Sequence, residues 1–483
     1  MGVVKRLFLF AICIITTEKS QLLALPECYT IIAGKQATAD GSVLVAHNED
    51  GDPRFFTRLR RVERNEYGPQ ALFTLRSGAQ IPQADTTFSY LWLEMPTLDF
   101  SDLLLNEYGV AVVSNGCPSR EDQGVLIEGG IGPMLRHLVA QRARTARDGV
   151  KLVGRLIEHF GYSDSGRSLM ICDSSEGWVV GLVRGRHWVA ARVPDDMVAV
   201  IANTYTIRSI DLSDTLNYYG SADLIDYARE RGWYDPSDGA FSFETAYANR
   251  NDRYAPSNTH RQWSGLNILS GGTVPLPEEK PLPFCVKPKQ PVTPGLLFSV
   301  LRDHYEGTPF IRTESQNPNP HRGHTLSICR PQTNSGSVFQ LRSGMPTAIG
   351  NVWWLALWQP CSTPFVPVYL GIETVPAQLY FPVDPDSAGT AKDYHSIPHD
   401  KAYRILGELA QKTDEHYPDL INKIRPVWEE FERRSFMMQG EIEKTALVLW
   451  HQDRNAAIDV LTRYSQGSLN CVLQKACEMN EKY

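Results

Sequence analysis

Apolar and polar positions alternate in short blocks over the first part of the chain. Residues 30–33 form a brief apolar run, Gly34-Lys35 a turn, Asp40-Gly41-Ser42 a hairpin turn, and residues 43–46 a returning strand. Residues 103–105 lead into a turn at Asn106-Glu107-Tyr108-Gly109, and residues 110–113 read as the next strand. Apolar positions near i, i+3 and i+4 predict helices over 132–144 and 149–160. Consecutive strands follow over 168–173, 177–183, 187–192 and 197–201. Strands, then helices, then more strands predict stacked sheets with helices outside. Beyond residue 210 the pattern predicts a helix over 216–233 and a Pro-rich connector over 271–295. A helix over 293–305 follows, with Pro294 in its first turn, then strands over 324–330, 335–341 and 352–357. The polar and aromatic stretch 249–263 reads as a surface loop, with a substrate mouth as the alternative, and 381–399 as a Pro-punctuated loop. Four helices are expected over 402–411, 419–434, 442–451 and 456–464, with Pro426 a candidate kink, as a helical cap on the sheets.

Composition narrows the class without choosing a function. The 483 residues, 42% hydrophobic and 21% charged, are ordinary for a globular protein with a sizeable core. A net charge of −7 argues against a nucleic-acid partner. Lys5 and Arg6 ahead of the apolar run 7–15 resemble a secretory signal peptide, too short to span a bilayer. Cleavage is expected near Ala24, with 1–24 as signal, 25–27 as a short propeptide and 28–483 as the mature domain, its 400–483 part helical. The expected destination is the secretory pathway, as a secreted or lysosome-like protein with no stable membrane anchor. A homo-oligomer is left open.

Of the nine cysteines, Cys13 leaves with the signal. Once Cys28 is set aside, an odd number remains, so they cannot all pair within one chain. A local Cys471–Cys477 bridge is possible but not compelled. No Cys or His spacing resembles a zinc site, and no metal or organic cofactor is expected.

Cys28 is the candidate with a chemical reason. It heads a strand whose hairpin partner carries Asn48 and Asp50. A chain cut before Cys28 has a free α-amine of pKa about 7.7–8.0. That amine can take the proton of its own thiol and release the attacking thiolate. Asp50 is the candidate that orients the α-ammonium, although a turn-capping role is the alternative. Asn203 and Asn115 end strands; Asn115 is a second candidate amide donor. His304 is not needed as a base, because the amine serves.

The run Cys28-x-Thr30-Ile31-x-x-Gly34-Lys35-x-Ala37-Thr38-x-Asp40-Gly41-Ser42, followed by Asn48-Glu49-Asp50, resembles the secernin and bacterial dipeptidase family of N-terminal-nucleophile hydrolases. The segments 106–112, 193–196 with 202–203, 302–310 and 337–342 are similar to later blocks of that family, in order. The resemblance implies a four-layer αββα sandwich, a processed N-terminal cysteine and hydrolysis of dipeptide amide bonds, that is, with the expected signal peptide, an exported cysteine dipeptidase. It also implies that Asn203 donates its amide to the oxyanion and that Arg330 matches a distal arginine near the nucleophile. One departure stands out. Relatives usually carry Arg two residues before the Glu of this segment, beside the nucleophile; here that residue is His47. An imidazole keeps a donor but is fully charged only in mild acid, so an altered, more pH-sensitive site is expected. Two rivals remain: an acylase of non-peptide amides (of the bile-salt or penicillin type), and an unprocessed, secernin-like interaction protein with Cys28 left internal.

Overall fold

Leu103, Leu104 and Leu105 are all fully buried, although a strand sends neighbours to opposite faces. Both faces of their sheet are therefore covered. Leu104 joins the core beneath the helices Met134–Arg142 and Ala146–Phe160. Leu103 and Leu105 join the larger core on the other side. The same alternation holds for Val112 against Val113 and for Ile171 against Met170. The computed structural model describes residues 28–51, 56–96, 100–278, 280–311, 319–322, 327–383 and 394–483. The expected signal and propeptide, and residues 324–326 of the expected 324–330 strand, lie outside these residues.

Two antiparallel sheets form the centre. The first has seven strands, in the order Cys285–Val286, Val198–Ile201, Tyr29–Ala33, Val43–Asp50, Thr333–Leu341, Asn351–Leu357, Val366–Tyr369. The second has eight, in the order Tyr218–Gly220, Trp188–Val193, Gly177–Gly185, Tyr162–Cys172, Ala111–Gly116, Phe100–Asn106, Tyr90–Met95, Arg58–Val62. They face each other closely: a Cβ on Gly177 of the second sheet would come within 2.7 Å of Ile32 in the first. The helices Pro256–Ser270 and Pro294–Leu301 and the C-terminal helices cover the outer face of the first sheet. The result is the four-layer αββα sandwich with a C-terminal helical part.

Several predicted elements change. The Cys28 hairpin pairs Tyr29 with Asn48 through Ala33 with Leu44, and its return strand runs on to Asp50. Asp40 accepts from the Ser42 main-chain N–H in the connecting loop. The predicted 216–233 helix is mostly absent. Tyr218–Gly220 is an edge strand on Trp188–Val193, and only Leu224–Glu230 is helical. Stretch 249–263 is not a loop: Arg250–Arg253 and Pro256–Ser270 are helices, the latter starting at Pro256 and ending at Gly271 with φ +74°. Residues 327–330 are not a strand; the strand begins at Thr333.

The four expected C-terminal helices are three: Ala402–Glu415, Ile421–Gln452 and Arg454–Lys482. Gly440 does not interrupt the second, since one interior glycine costs only about 1 kcal/mol. Arg302 binds Glu432 through both terminal nitrogens, at 2.6 and 3.0 Å, and the Tyr369 hydroxyl donates to Glu443 at 2.9 Å, fastening this helix to the sheet layer. Cys471 and Cys477 lie about 120° apart around the last helix, and the eight described cysteines are free thiols. No helix among the described residues is long and apolar enough to cross a membrane.

Candidate active site

Strand alternation decides what meets Cys28. Cys28 is fully buried beside the return strand, and its thiol donates to Glu49 Oε1 at 3.5 Å. His47 lies on the same face as Glu49, two residues away. Its Nε2 is 3.3 Å from Glu49 Oε2, and its Nδ1 is 2.8 Å from the Thr30 hydroxyl. Asn48 points the other way and donates to the carbonyls of Leu301 and Ile328. The expected neighbourhood of Cys28 and Asn48 side chains is therefore replaced by Cys28, Glu49 and His47, as a period of two requires.

Asp50 shares the outward face. It accepts from Thr333 Oγ1 at 2.7 Å and lies 3.3 Å from Arg330 Nε and 3.8 Å from Arg261 Nη1. Arg330 thus reaches the site through Asp50, and it also donates to the Ser327 carbonyl. The arginine that touches the cysteine itself is Arg261, fully buried on the helix Pro256–Ser270. It donates to the Cys28 carbonyl at 3.1 Å, to Asn203 Oδ1 at 2.6 Å and to Asn258 Oδ1 at 3.1 Å.

The two asparagines are used differently. The Asn115 amide nitrogen donates to the carbonyls of Cys28, Ile201 and Ala202, and its oxygen accepts from Thr30 Oγ1 at 2.7 Å. It clamps the strand ends of the two sheets together. Asn203, just beyond Val198–Ile201, donates to the Gly116 carbonyl at 3.0 Å. One of its two amide hydrogens suffices for that bond. His304 contacts Glu306 and His321, in a separate cluster.

The electrostatics of the intact chain hold the thiol protonated. Burial pushes the Cys28 thiol well above its ordinary range, and the carboxylates of Glu49, Asp102 and Asp50 push it further; a main-chain hydrogen bond from Asp50 works the other way. Glu49 is itself raised by burial and by Asp102, and drawn back by hydrogen bonds from His47 and Cys28. Burial would raise Asp102 too. Arg136 and Arg167, at 2.5 and 3.2 Å, outweigh that and hold it below the usual carboxylate range. Atoms of Cys28, His47 and Glu49 also lie within 4.8 Å of one another, so a thiophilic cation can compete for the thiol.

Sequence reasoning missed Arg261, Asn258 and Glu49. The signal for the first two was present as Pro256 just inside a helix start and Gly271 just past its end.

Comparison with known proteins agrees with the motif blocks. A "Probable dipeptidase" of Salmonella dublin is 30% identical over 361 residues, 71% of this chain and 81% of that protein. One of Latilactobacillus sakei is 27% identical over 417 residues, 82% of each chain. "Probable dipeptidase A" of Streptococcus pyogenes serotype M3 (strain SSI-1) is 25% identical over 460 residues, 93% of this chain and 96% of that one. Among solved structures, penicillin V acylase from Agrobacterium tumefaciens is similar at 12% identity and a TM-score of 0.36, covering 71% of this chain and 86% of its own. Residues 27–430 match the sequence profile of Peptidase family C69, and the chain is a hydrolase belonging to that family.

Proposed function

We propose that this protein is an exported cysteine dipeptidase in which Cys28, freed as the N-terminal residue, is the nucleophile. The observation that carries the reading is the way Cys28 is held. Asn115 and Arg261 fix its carbonyl, and its thiol rests on the Glu49 carboxylate. The residue is anchored on its C-terminal side, so loss of the preceding segment leaves it in place. The relatives named as dipeptidases support the substrate class, and the basic, apolar start of the chain supports export.

Release of the α-amine changes the electrostatics. An α-ammonium brings a positive charge to the cluster of Glu49, Asp50 and Asp102 that holds the thiol protonated. In its neutral form the amine takes the thiol proton. The thiolate attacks the scissile carbonyl, and a carbon–sulfur bond forms as the carbonyl becomes an oxyanion. Asn203, with its second amide hydrogen, is the side-chain donor to that oxygen. The ammonium protonates the leaving amine as the C–N bond breaks, giving a thioester. Water, deprotonated by the same amine, cleaves the thioester and restores the thiol. His47 keeps Glu49 in place rather than meeting the sulfur, and Asp50 holds Arg261 and Arg330. Arg261 serves as a positioning residue.

The test is a hydrolysis assay of unblocked dipeptides beside N-acyl amides, with wild type and Cys28→Ser. Turnover of dipeptides by wild type alone supports the reading. Preference for acyl amides makes the protein an acylase. Absence of turnover on both sets supports a non-catalytic interaction protein.

A further inference from the structure

Away from Cys28, four side chains that favour thiophilic divalent metals converge. His304 follows the helix Pro294–Leu301, His321 lies in segment 319–322, Cys329 precedes the strand Thr333–Leu341, and Cys361 follows Asn351–Leu357. One ligating atom from each lies within 4.8 Å of all the others. The two Nε2 atoms are 3.1 Å apart, and the sulfurs of Cys329 and Cys361 are 3.8 and 3.7 Å from His321 Nε2. A tetrahedral ion with Zn–N of about 2.0–2.1 Å and Zn–S of about 2.3 Å requires edges of roughly 3.4–3.8 Å. The separations are close to that.

The outer ring nitrogens supply a second, independent argument. His304 Nδ1 is 3.0 Å from Glu306 Oε1, and His321 Nδ1 is 3.0 Å from Asp414 Oδ1. A carboxylate beside Nδ1 accepts a hydrogen bond from it and, in the neutral ring, leaves Nε2 as a lone pair. The two Nε2 atoms then face each other across one buried space, which either a ring proton or a metal ion fills. Asp414 is itself fixed by the Asn319 amide at 2.8 Å, and Asn319 Oδ1 accepts from the His321 main-chain N–H at 2.8 Å. His304, Cys329 and Cys361 are buried, and the His321 side chain is 6% exposed. A Cys329–Cys361 disulfide would use the two sulfurs and leave the two imidazoles opposed.

We propose that His304, His321, Cys329 and Cys361 form a closed tetrahedral zinc site, distinct from the catalytic cysteine. Two sulfurs and two nitrogens select zinc over the harder divalent ions, and four protein ligands leave no position for substrate, so the role is structural. The ion braces the active site from behind. Cys329 donates its main-chain N–H to the Asp303 carbonyl at 3.1 Å, and Asp303 accepts from Ser264, on the helix that carries Arg261, at 2.6 Å. The residue after Cys329 is Arg330, the partner of Asp50. The sequence hid this site because its ligands come singly from four connections, with none of the close Cys or His pairs of a zinc motif. The expectation of no metal is revised on that ground.

The test is metal analysis of the purified full-length protein, dialysed without chelator. Wild type should carry about one zinc ion per chain. Cys28→Ala, which dismantles the other thiol-containing set, should keep it, and Cys361→Ser and His321→Ala should lose at least about nine-tenths of it. Cobalt exchanged into wild type should give the visible spectrum of a tetrahedral, thiolate-ligated ion. If Cys361→Ser does not fold, His321→Ala and the cobalt spectrum decide. A metal-free wild type whose Cys329 and Cys361 are free thiols or a disulfide by mass spectrometry overturns the site. So does zinc that leaves with Cys28→Ala and stays in His321→Ala.

Discussion

The Arg261 guanidinium donates to the main-chain oxygen of Cys28 at 3.1 Å, joining residues 233 positions apart. The same group reaches Asn203 and Asn258. One planar, multidentate donor therefore sets the position of the proposed nucleophile relative to the proposed oxyanion donor. A lysine offers one compact charge and cannot span the three acceptors. Arg261→Lys should lower kcat by about 10²-fold with a smaller change in KM. Steady-state kinetics on a dipeptide checks this; a change confined to KM would place Arg261 in substrate binding instead.

The helix bearing Arg261 lies against the Cys28 strand through Gly265. A Cβ there would meet the Tyr29 hydroxyl at 1.9 Å, next to Cys28 in sequence. Gly265→Ala should displace the helix, destabilising the protein by about 1–3 kcal/mol and lowering kcat together with stability. Thermal denaturation and kinetics on the same preparation test the coupling. Unchanged kcat would show that the helix has slack.

Asn115 and Asn203 should separate. Asn115→Ala leaves buried carbonyls of Cys28, Ile201 and Ala202 without their shared donor. It should cost about 1–3 kcal/mol or more of stability. Asn203→Ala should leave stability closer to wild type and reduce kcat by about 10²–10³-fold. Denaturant unfolding beside kinetics distinguishes the two, and the reverse pattern would exchange their roles.

How much of this was legible follows the range of the interactions. The hairpin around Cys28, and the turn at 106–109 with the strand after it, were legible because they rest on local turn chemistry. The edge strand Tyr218–Gly220 was not, because pairing with Val189, Ala190 and Ala191 overrides a helical pattern. Glu49 was passed over for its neighbours because the pairing register, and so its face, is a tertiary fact. Arg261 sat in a polar, aromatic stretch whose burial only the sheet explains. Cys28, Asp50, Asn115, Asn203, Arg330 and His47 do converge, but through Arg261, which lies outside the motif, and Glu49, a motif residue to which the sequence assigned no role.

His137 provides a pH test remote from the site. Its ring packs edge-on to Trp92 at 4.6 Å and contacts the Tyr90 hydroxyl at 3.1 Å. Burial, with Arg136 and other arginines nearby, lowers its pKa from 6.5 to about 3. The folded protein therefore stays neutral there while the unfolded chain takes up a proton. The stabilisation is fully present above pH 6.5 and is lost as pH falls from 6.5 towards 3. The loss reaches at most about 5 kcal/mol. His137→Phe, which cannot titrate, should flatten that part of the stability profile. A profile as steep as that of wild type would assign the acid loss to other groups.

The most direct test of the account is the N-terminal sequence and intact mass of the mature protein from an exporting host, for wild type and Cys28→Ala. The account predicts a wild-type chain that begins at Cys28; retention of residues 25–27 in Cys28→Ala alone would show self-processing. An active wild-type chain that begins upstream, with the residue 28 nitrogen still in a peptide bond, would contradict it.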